Sequence, residues 1–244
     1  MSIEDPAAFG MDLHSELQWD LNLAQAREEG YNFAFLKISE GPYRDGSVLP
    51  LRSLDEFYRR LVDNDFRIGF YSYLVQSYKD SQRSGVANAE HFLRRADSLG
   101  GLADRIVIAD FEAYNKPYEY LSPHNGTLEA FGARIRREIG STHPYMIYST
   151  PSYWNSGIPS GKIEEYHTTL AWDAQLAENR VVNHPRRYYQ TIDQWGWQDS
   201  PWGGVLPIFW QFTWAGKVAN LNLDVDACRL SPEDYRDLWQ RAAS

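Results

Sequence analysis

The sequence predicts an α/β fold, a single TIM-like barrel of eight strands in which only the first five are followed by proper helices, (β/α)5(β)3. Three observations predict it. Eight short runs rich in β-branched and aromatic residues recur along the whole chain. Amphipathic stretches at helical spacing separate the first five runs and are absent after them. The 244 residues suffice for one such barrel, and no linker, internal repeat or low-complexity stretch divides them.

The runs are Phe9–Leu13, Phe33–Ile38, Ile68–Leu74, Ile106–Phe111, Tyr145–Tyr148, Thr169–Trp172, Leu206–Phe212 and Leu221–Val225. Several are almost continuously apolar, as parallel strands covered on both faces are. Leu21–Glu29 reads as the first helix and ends at Gly30, a suitable C′ residue. Ser53–Asn64 carries Leu54, Phe57, Tyr58 and Leu61 at helical spacing. Ser81–Leu99 sets Val86, Ala89, Phe92, Leu93 and Ala96 on one stripe and stops at Gly100 and Gly101. Thr127–Ile139 repeats the pattern, with Thr127 as the expected N-cap. Ser152–Ser156 is read as one short turn. Residues 174–204 then lose helical periodicity, and only Thr213–Asn220 separates the last two runs. A helix over Pro232–Ala242 closes the single domain, residues 1–244, whose barrel core covers about residues 8–228.

Composition narrows the function classes. The net charge of −9 and the lack of a dense Lys/Arg cluster argue against nucleic-acid binding, which needs a basic face for the phosphates. Arg134, Arg136 and Arg137 have the spacing of a solvated helix face. Aromatic residues make up 15 % of the chain, many of them near Gly, Asn or Pro. Sugars stack their C–H faces on such rings, but a packed core uses them too, and composition alone leans toward the core. With one cysteine, Cys228, no disulfide can form within the chain. Met1–Gly10 has neither the basic start nor the apolar run of a secretory signal. No apolar stretch approaches the ~20 residues that span a bilayer. The expectation is a chain made and folded in a reducing cytoplasm.

Active sites of β/α barrels sit where the strands end, so the residues closing each run matter most. Run one ends at Asp12, run two at Glu40, run four at Asp110 and Glu112, and run eight at Asp224 and Asp226. Side chains alternate along a strand, so Asp110 and Glu112 share a face and Phe111 takes the other. Two carboxylates side by side at an apolar strand end cannot both ionise cheaply, and one pKa should rise. A carboxylic acid held near neutral pH is the proton donor that cleavage of a glycosidic bond requires. The longer Glu112 is assigned that part, with Asp110 expected to stay ionised. A loop cap at Asp110 with a surface Glu112 is the bland alternative. Convergence of Asp12, Glu40 and Asp226 on the same rim weighs against it.

Other chemistries find little support. His14, His91, His124, His143, His167 and His184 are scattered without metal-ligand spacing. Cys228 lacks a nucleophile motif and reads as a packed thiol. No Gly-x-Ser-x-Gly elbow or phosphate-binding Gly loop occurs. No metal or organic cofactor is expected.

Almost end to end, the chain resembles the family 25 glycoside hydrolases, the Chalaropsis-type lysozymes. Gly10-Met11-Asp12 is similar to the family's Gly-Ile-Asp, and Phe35 to Gly41 to Phe-Ile-Lys-Ala-Thr-Glu-Gly. Gly69 to Tyr73 is similar to Gly-Ala-Tyr-His-Phe, and Ile108 to Glu112 to Leu-Asp-x-Glu. Tyr145 to Ser149 fits the family's fifth strand, Trp210 to Thr213 is similar to Trp-Gln-Tyr-Thr, and Val225-Asp226 to the start of Val-Asp-Leu-Asn. The resemblance implies a flattened (β/α)5(β)3 barrel that hydrolyses the β-1,4 bond after N-acetylmuramic acid in peptidoglycan. It carries the catalytic carboxylates over to Asp12, Asp110, Glu112 and Asp226, with Glu112 as the acid; Asp224 lies two residues before Asp226 on the same strand face, and which of the two lines the site is left open. Glu40, Tyr71, Tyr148, Trp172, Trp210 and Gln211 would bind substrate. Three departures bear on substrate detail: a longer Leu13 to Gln18 after the first strand, Leu176 after the sixth, and Ala227-Cys228 closing the eighth.

The alternatives are a chitinase-like hydrolase of another amino-sugar polymer, whose longer Asp-rich fourth strand is missing, and a wall-binding barrel without turnover. The expected setting is a phage endolysin, monomeric, held in the host bacterial cytoplasm until release through a holin and acting on cell-wall peptidoglycan. It makes no nucleic-acid contact and inserts into no membrane. A domain of a bacterial autolysin would read the same way. The acidic net charge gives no help in attracting an anionic wall, so targeting must come from shape or from another module.

Overall fold

The computed structural model describes residues 6–42, 47–49, 51, 53–76, 80–112, 125–158, 161–175, 180–193, 197 and 202–243. Leu176 and His124, singled out in the sequence, lie outside them.

Eight strands close into a barrel in chain order. They are β1 (Ala8–Leu13), β2 (Tyr31–Glu40), β3 (Arg67–Tyr73), β4 (Ile106–Asp110), β5 (Tyr145–Ser149), β6 (Leu170–Ala174), β7 (Phe209–Val218) and β8 (Leu221–Cys228). Strands β1 to β7 run parallel, while β8 runs antiparallel to both β7 and β1. The last strand thus descends from the mouth instead of ending there. Its two Asp residues enter the barrel in the reverse of the order expected for a parallel strand.

Five helices follow the first five strands: α1 (Leu23–Glu28), α2 (Leu54–Asp63), α3 (Ser81–Ser98), α4 (Asn125–Ile139) and α5 (Pro151–Gly157). Each buries an apolar stripe on the barrel. In α2 this stripe is Leu54, Phe57 and Leu61, each worth roughly 1.5–3 kcal/mol when buried. Gly30 follows α1 with a φ of 93°, the left-handed residue that ends it. Val86 departs from its expected stripe and is exposed, because α3 turns Gly85, Asn88, Ala89 and Phe92 inward. Gly85 lets α3 approach α4, since a Cβ there would meet the Thr127 carbonyl oxygen at 2.3 Å. Thr127 does not cap α4, which begins two residues earlier; its buried hydroxyl donates to the Ser81 carbonyl instead.

The helical ring is incomplete after β6. Among the described residues a one-turn helix, α6 (Pro185–Tyr189), stands there, and α7 (Pro232–Ala242) closes the chain. The β7–β8 hairpin continues past the barrel to a turn at Ala219 and Asn220, both in the left-handed region. This hairpin folds over the outside. The Ala219 amide donates to the Glu29 carboxylate beside α1, and Val182 pairs with Gly216. Tyr189, Trp197, Trp210 and Phe212 fill the layer that helices would otherwise occupy.

Candidate active site

Alternation along the strands divides the apolar side chains into two clusters. One lies between barrel and helices; the other fills the barrel with Phe33, Phe35, Tyr71, Ile106, Ile108, Met146, Tyr148, Trp172 and Phe209. On β4 the inward set is Ile106, Ile108 and Asp110, and Glu112 continues it two residues later. Phe111 packs in the outer layer against Tyr153 and Trp154. Asp12 continues the inward face of β1 above Gly10, where a Cβ would meet the Phe33 ring at 2.2 Å.

The register of β1 with β8 settles the depths. Asp12 is level with Asp224, and Gly10 with Asp226. Asp12, Glu112 and Asp224 are partly exposed at the mouth, and Asp110 lies just below it. Asp226 is fully buried, with one carboxylate oxygen accepting from the Trp172 indole N–H at 2.9 Å. Asp226 is therefore out of reach of a substrate, and Asp224 takes the position expected of it. The sequence leaves the choice between Asp224 and Asp226 open, because alternation puts both on one face and does not give the direction of the last strand.

Glu40 reaches the interior through a bulge. Lys37 pairs with Tyr71, but Ser39 pairs with Ser72 and Glu40 with Tyr73, so an extra residue shifts the alternation by one. Glu40 then forms a buried ion pair with Lys37, whose ammonium sits 4.9 Å from the Tyr73 ring centroid. Both of these side chains are thus engaged with each other. Lys37 was missed at the sequence level, although a lysine inside an apolar run three residues before a glutamate is a readable signal.

Of the remaining expected site residues, Tyr71, Tyr148, Trp172 and Gln211 face the interior. Trp172 packs between Phe35 and Tyr148 in tilted contacts, with ring centroids 4.4 Å from each. It forms a floor under the mouth and is almost wholly covered. Trp210 does not line the site. It neighbours Gln211 in sequence and so points the other way, donating to the Gln175 carbonyl at 2.7 Å and packing on Tyr189, Trp197 and Phe212.

Crowding acids at an apolar mouth raises their pKa values. Burial first, then the nearby Asp12 charge, lifts Glu112 from 4.5 to about 7, with Lys37 opposing. Burial lifts Asp12 from 3.8 to about 7, against a Tyr71 hydroxyl hydrogen bond, the Lys37 charge and the Leu13 amide. Burial, Asp12 and Glu112 lift Asp224 to about 8. The deeper Asp110 and Asp226 are raised well above the ordinary range, chiefly by burial. Asp110, expected to stay ionised, lies further from water than Glu112, and burial followed by the Glu112 charge raises it as well. Asp12 has the contacts that favour the charged form. Cys228 is buried on the same interior face, and burial pushes its thiol up to about 12, which makes it a packed thiol rather than a nucleophile.

A β/α barrel with protonatable carboxylates of graded depth at its mouth has the acid–base equipment of a glycoside hydrolase. The sequence pattern described as glycosyl hydrolases family 25 matches residues 12–221, and the chain belongs to this family. Lysozyme M1 of Streptomyces globisporus is 23 % identical over 228 residues, which cover 89 % of this chain and 65 % of that protein. The chain thus spans a little less than two thirds of that relative's length. Among solved structures, a muramidase from Trichobolus zukalii superposes with a TM-score of 0.65 at 18 % identity, covering 96 % of this chain and 99 % of that one. The catalytic domain of an endolysin from a Listeria monocytogenes bacteriophage gives 0.62 at 13 % identity, covering 97 % and 98 %. At these identities the superpositions bear on the fold alone.

Proposed function

We propose that this chain is a muramidase, hydrolysing the β-1,4 bond between N-acetylmuramic acid and N-acetylglucosamine in peptidoglycan. The observation that carries this reading is Glu112, half-open at the barrel mouth and titrating near neutrality above an aromatic floor. Membership of the family and the kinship with lysozyme M1 support the choice of polymer.

In this reading the protonated Glu112 gives its proton to the bridging oxygen as the C1–O bond breaks. The substrate's own 2-acetamido oxygen attacks C1 and closes a five-membered ring. Asp12, the mouth carboxylate with the most contacts favouring its ionised form, stabilises the positive charge that develops. Water then opens the ring at C1, and Glu112 takes a proton back from it. Following the anomeric configuration of the first product by NMR tests the retaining pathway, and inversion overturns it.

We further infer the setting of a phage endolysin, monomeric and held in the host cytoplasm until a holin admits it to the wall. A single cysteine, which allows no disulfide within the chain, fits a protein held in a reducing cytoplasm, and the catalytic domain of a phage endolysin shares the fold. The experiment for the activity measures reducing ends and turbidity loss on purified bacterial walls, with Glu112→Gln beside the native protein. Reducing ends at muramic acid, formed about a hundredfold or more slowly by the variant, are the expected result. Inactivity of both proteins on walls from several bacteria overturns the reading and leaves a binding barrel or a hydrolase of another amino-sugar polymer.

A further inference from the structure

A second concavity lies at the opposite end of the barrel from the carboxylates. A cavity of about 930 Å³ is bounded by Pro6, Phe9 and Tyr31 at the starts of β1 and β2, by α6, and by the folded-over hairpin tip. Its charged lining is Arg186, Arg187, Lys217 and Glu29, with His184 beside them. In a chain of net charge −9 this is a local reversal of sign.

The one acid in that lining is already engaged. One Glu29 carboxylate oxygen accepts from the Gln25 amide at 2.8 Å, and the other from the Ala219 amide at 3.0 Å. Arg186 is anchored too: it donates to the Glu29 carbonyl at 2.7 Å, and its guanidinium lies 5.2 Å from the Phe9 ring centroid. It is therefore a fixed charge. Arg187 and Lys217 are exposed, and neither side chain has a hydrogen bond or ion pair among the described residues. Pro6, Phe9, Tyr31 and Pro185 supply an apolar wall, while Asn183, Gln190 and Asn220 add neutral polar groups.

We propose that this cavity binds a phosphate-bearing polyol or sugar. A carboxylate brings one negative charge and is matched by one arginine. Three cations lining one cavity suit phosphate, which brings up to two charges and three terminal oxygens as a monoester, or one charge and two terminal oxygens at every repeat of a polymeric diester, and the apolar wall suits the attached carbon skeleton. Two sources share this chemistry, a free phosphorylated metabolite and the repeating unit of an anionic wall polymer. The site is independent of the muramidase reading, because it needs neither turnover nor the carboxylates at the mouth.

The test is calorimetric titration of the whole chain with glycerol 3-phosphate, with a poly(glycerol phosphate) oligomer, and with malonate and glycerol as controls. Saturable binding of both phosphates is expected, weakened tenfold or more in Arg187→Ala/Lys217→Ala. That double variant should keep the native unfolding temperature and native activity on a soluble peptidoglycan fragment. Tighter binding of the oligomer, compared per phosphate, assigns the site to a wall polymer; equal binding assigns it to a metabolite. No saturable binding, binding indifferent to the double substitution, or malonate binding as tightly as phosphate overturns the proposal.

Discussion

Replacing Glu112 with Gln should make the protein more stable at neutral pH while removing its proton donor. Glu112 is an acid whose pKa is raised on folding, from 4.5 to about 7, mainly because the mouth of the barrel desolvates it. Between those two values the folded chain binds more protons at this site than the unfolded chain does. Stability from this group is therefore intact below about pH 4.5 and is lost as pH rises through about 7. A displacement of that size corresponds to about 3 kcal/mol, at roughly 1.4 kcal/mol for each pH unit. Glutamine has nearly the same shape and never ionises, so the variant escapes this cost. For a domain of this size about 3 kcal/mol amounts to roughly 6–12 °C in melting temperature. Thermal unfolding of both proteins from pH 4 to pH 9 is the assay. The two should melt together near pH 4; the gap should open in favour of Gln between pH 4.5 and 7 and stay level above. A gap independent of pH, or a variant that melts lower at pH 8, would refute desolvation as the cause of the raised pKa.

Lys37→Met should cost roughly 3–5 kcal/mol in urea unfolding at pH 7, because it leaves the Glu40 carboxylate buried without its cation. Adding Glu40→Gln should recover part of that loss, and no recovery would argue against the pair. Trp210→Ala should lower stability by about 3–5 kcal/mol and leave KM on cell walls within about twofold, since the ring fills the outer layer. A tenfold rise in KM with stability intact would return Trp210 to the substrate cleft. Asp224→Asn should lower kcat/KM about tenfold or more, whereas Asp226→Asn keeps an acceptor for the Trp172 indole and should change it less than about threefold. The reverse ranking would overturn the depths assigned to these two residues.

The parts of the site legible in the sequence are those that depend on a period of two. Asp110 and Glu112 had to share a face wherever the run around them became a strand, and Phe111 had to take the other. The same rule governs Trp210 and Gln211. Adjacent strand residues cannot both face the barrel, so only Gln211 was available to the site. Asp224 and Asp226 pose a different problem, because alternation gives face but not direction. The short Thr213–Asn220 connection did carry the missing sign: parallel strands need a crossover of about a dozen residues or more, so runs this close must pair antiparallel. Glu40 is legible as a strand end, but its inward face is not, since a bulge past Lys37 shifts the alternation. The layer outside β7 was equally hidden. It is built from Tyr189 at the end of the one-turn α6, from Trp197 and from the hairpin, which leave no helical periodicity to read.

Depth distributes the protons among five carboxylates. They face one interior, and the nearby cation, Lys37, is itself paired with Glu40. Five negative charges in such a space would repel one another strongly in a low dielectric. The least costly arrangement leaves protons on the deepest groups, Asp226 and Asp110, and lets the partly exposed ones titrate first. Asp12 has the Tyr71 hydroxyl and the Leu13 amide to stabilise its charged form, whereas Glu112 has the Asp12 charge to oppose its own. The acid and the charged stabiliser are thus separated by their neighbours and not by residue type. Any substitution that changes depth, such as a side chain at Gly10 displacing the Phe33 ring beneath the mouth, acts on this balance without touching a carboxylate.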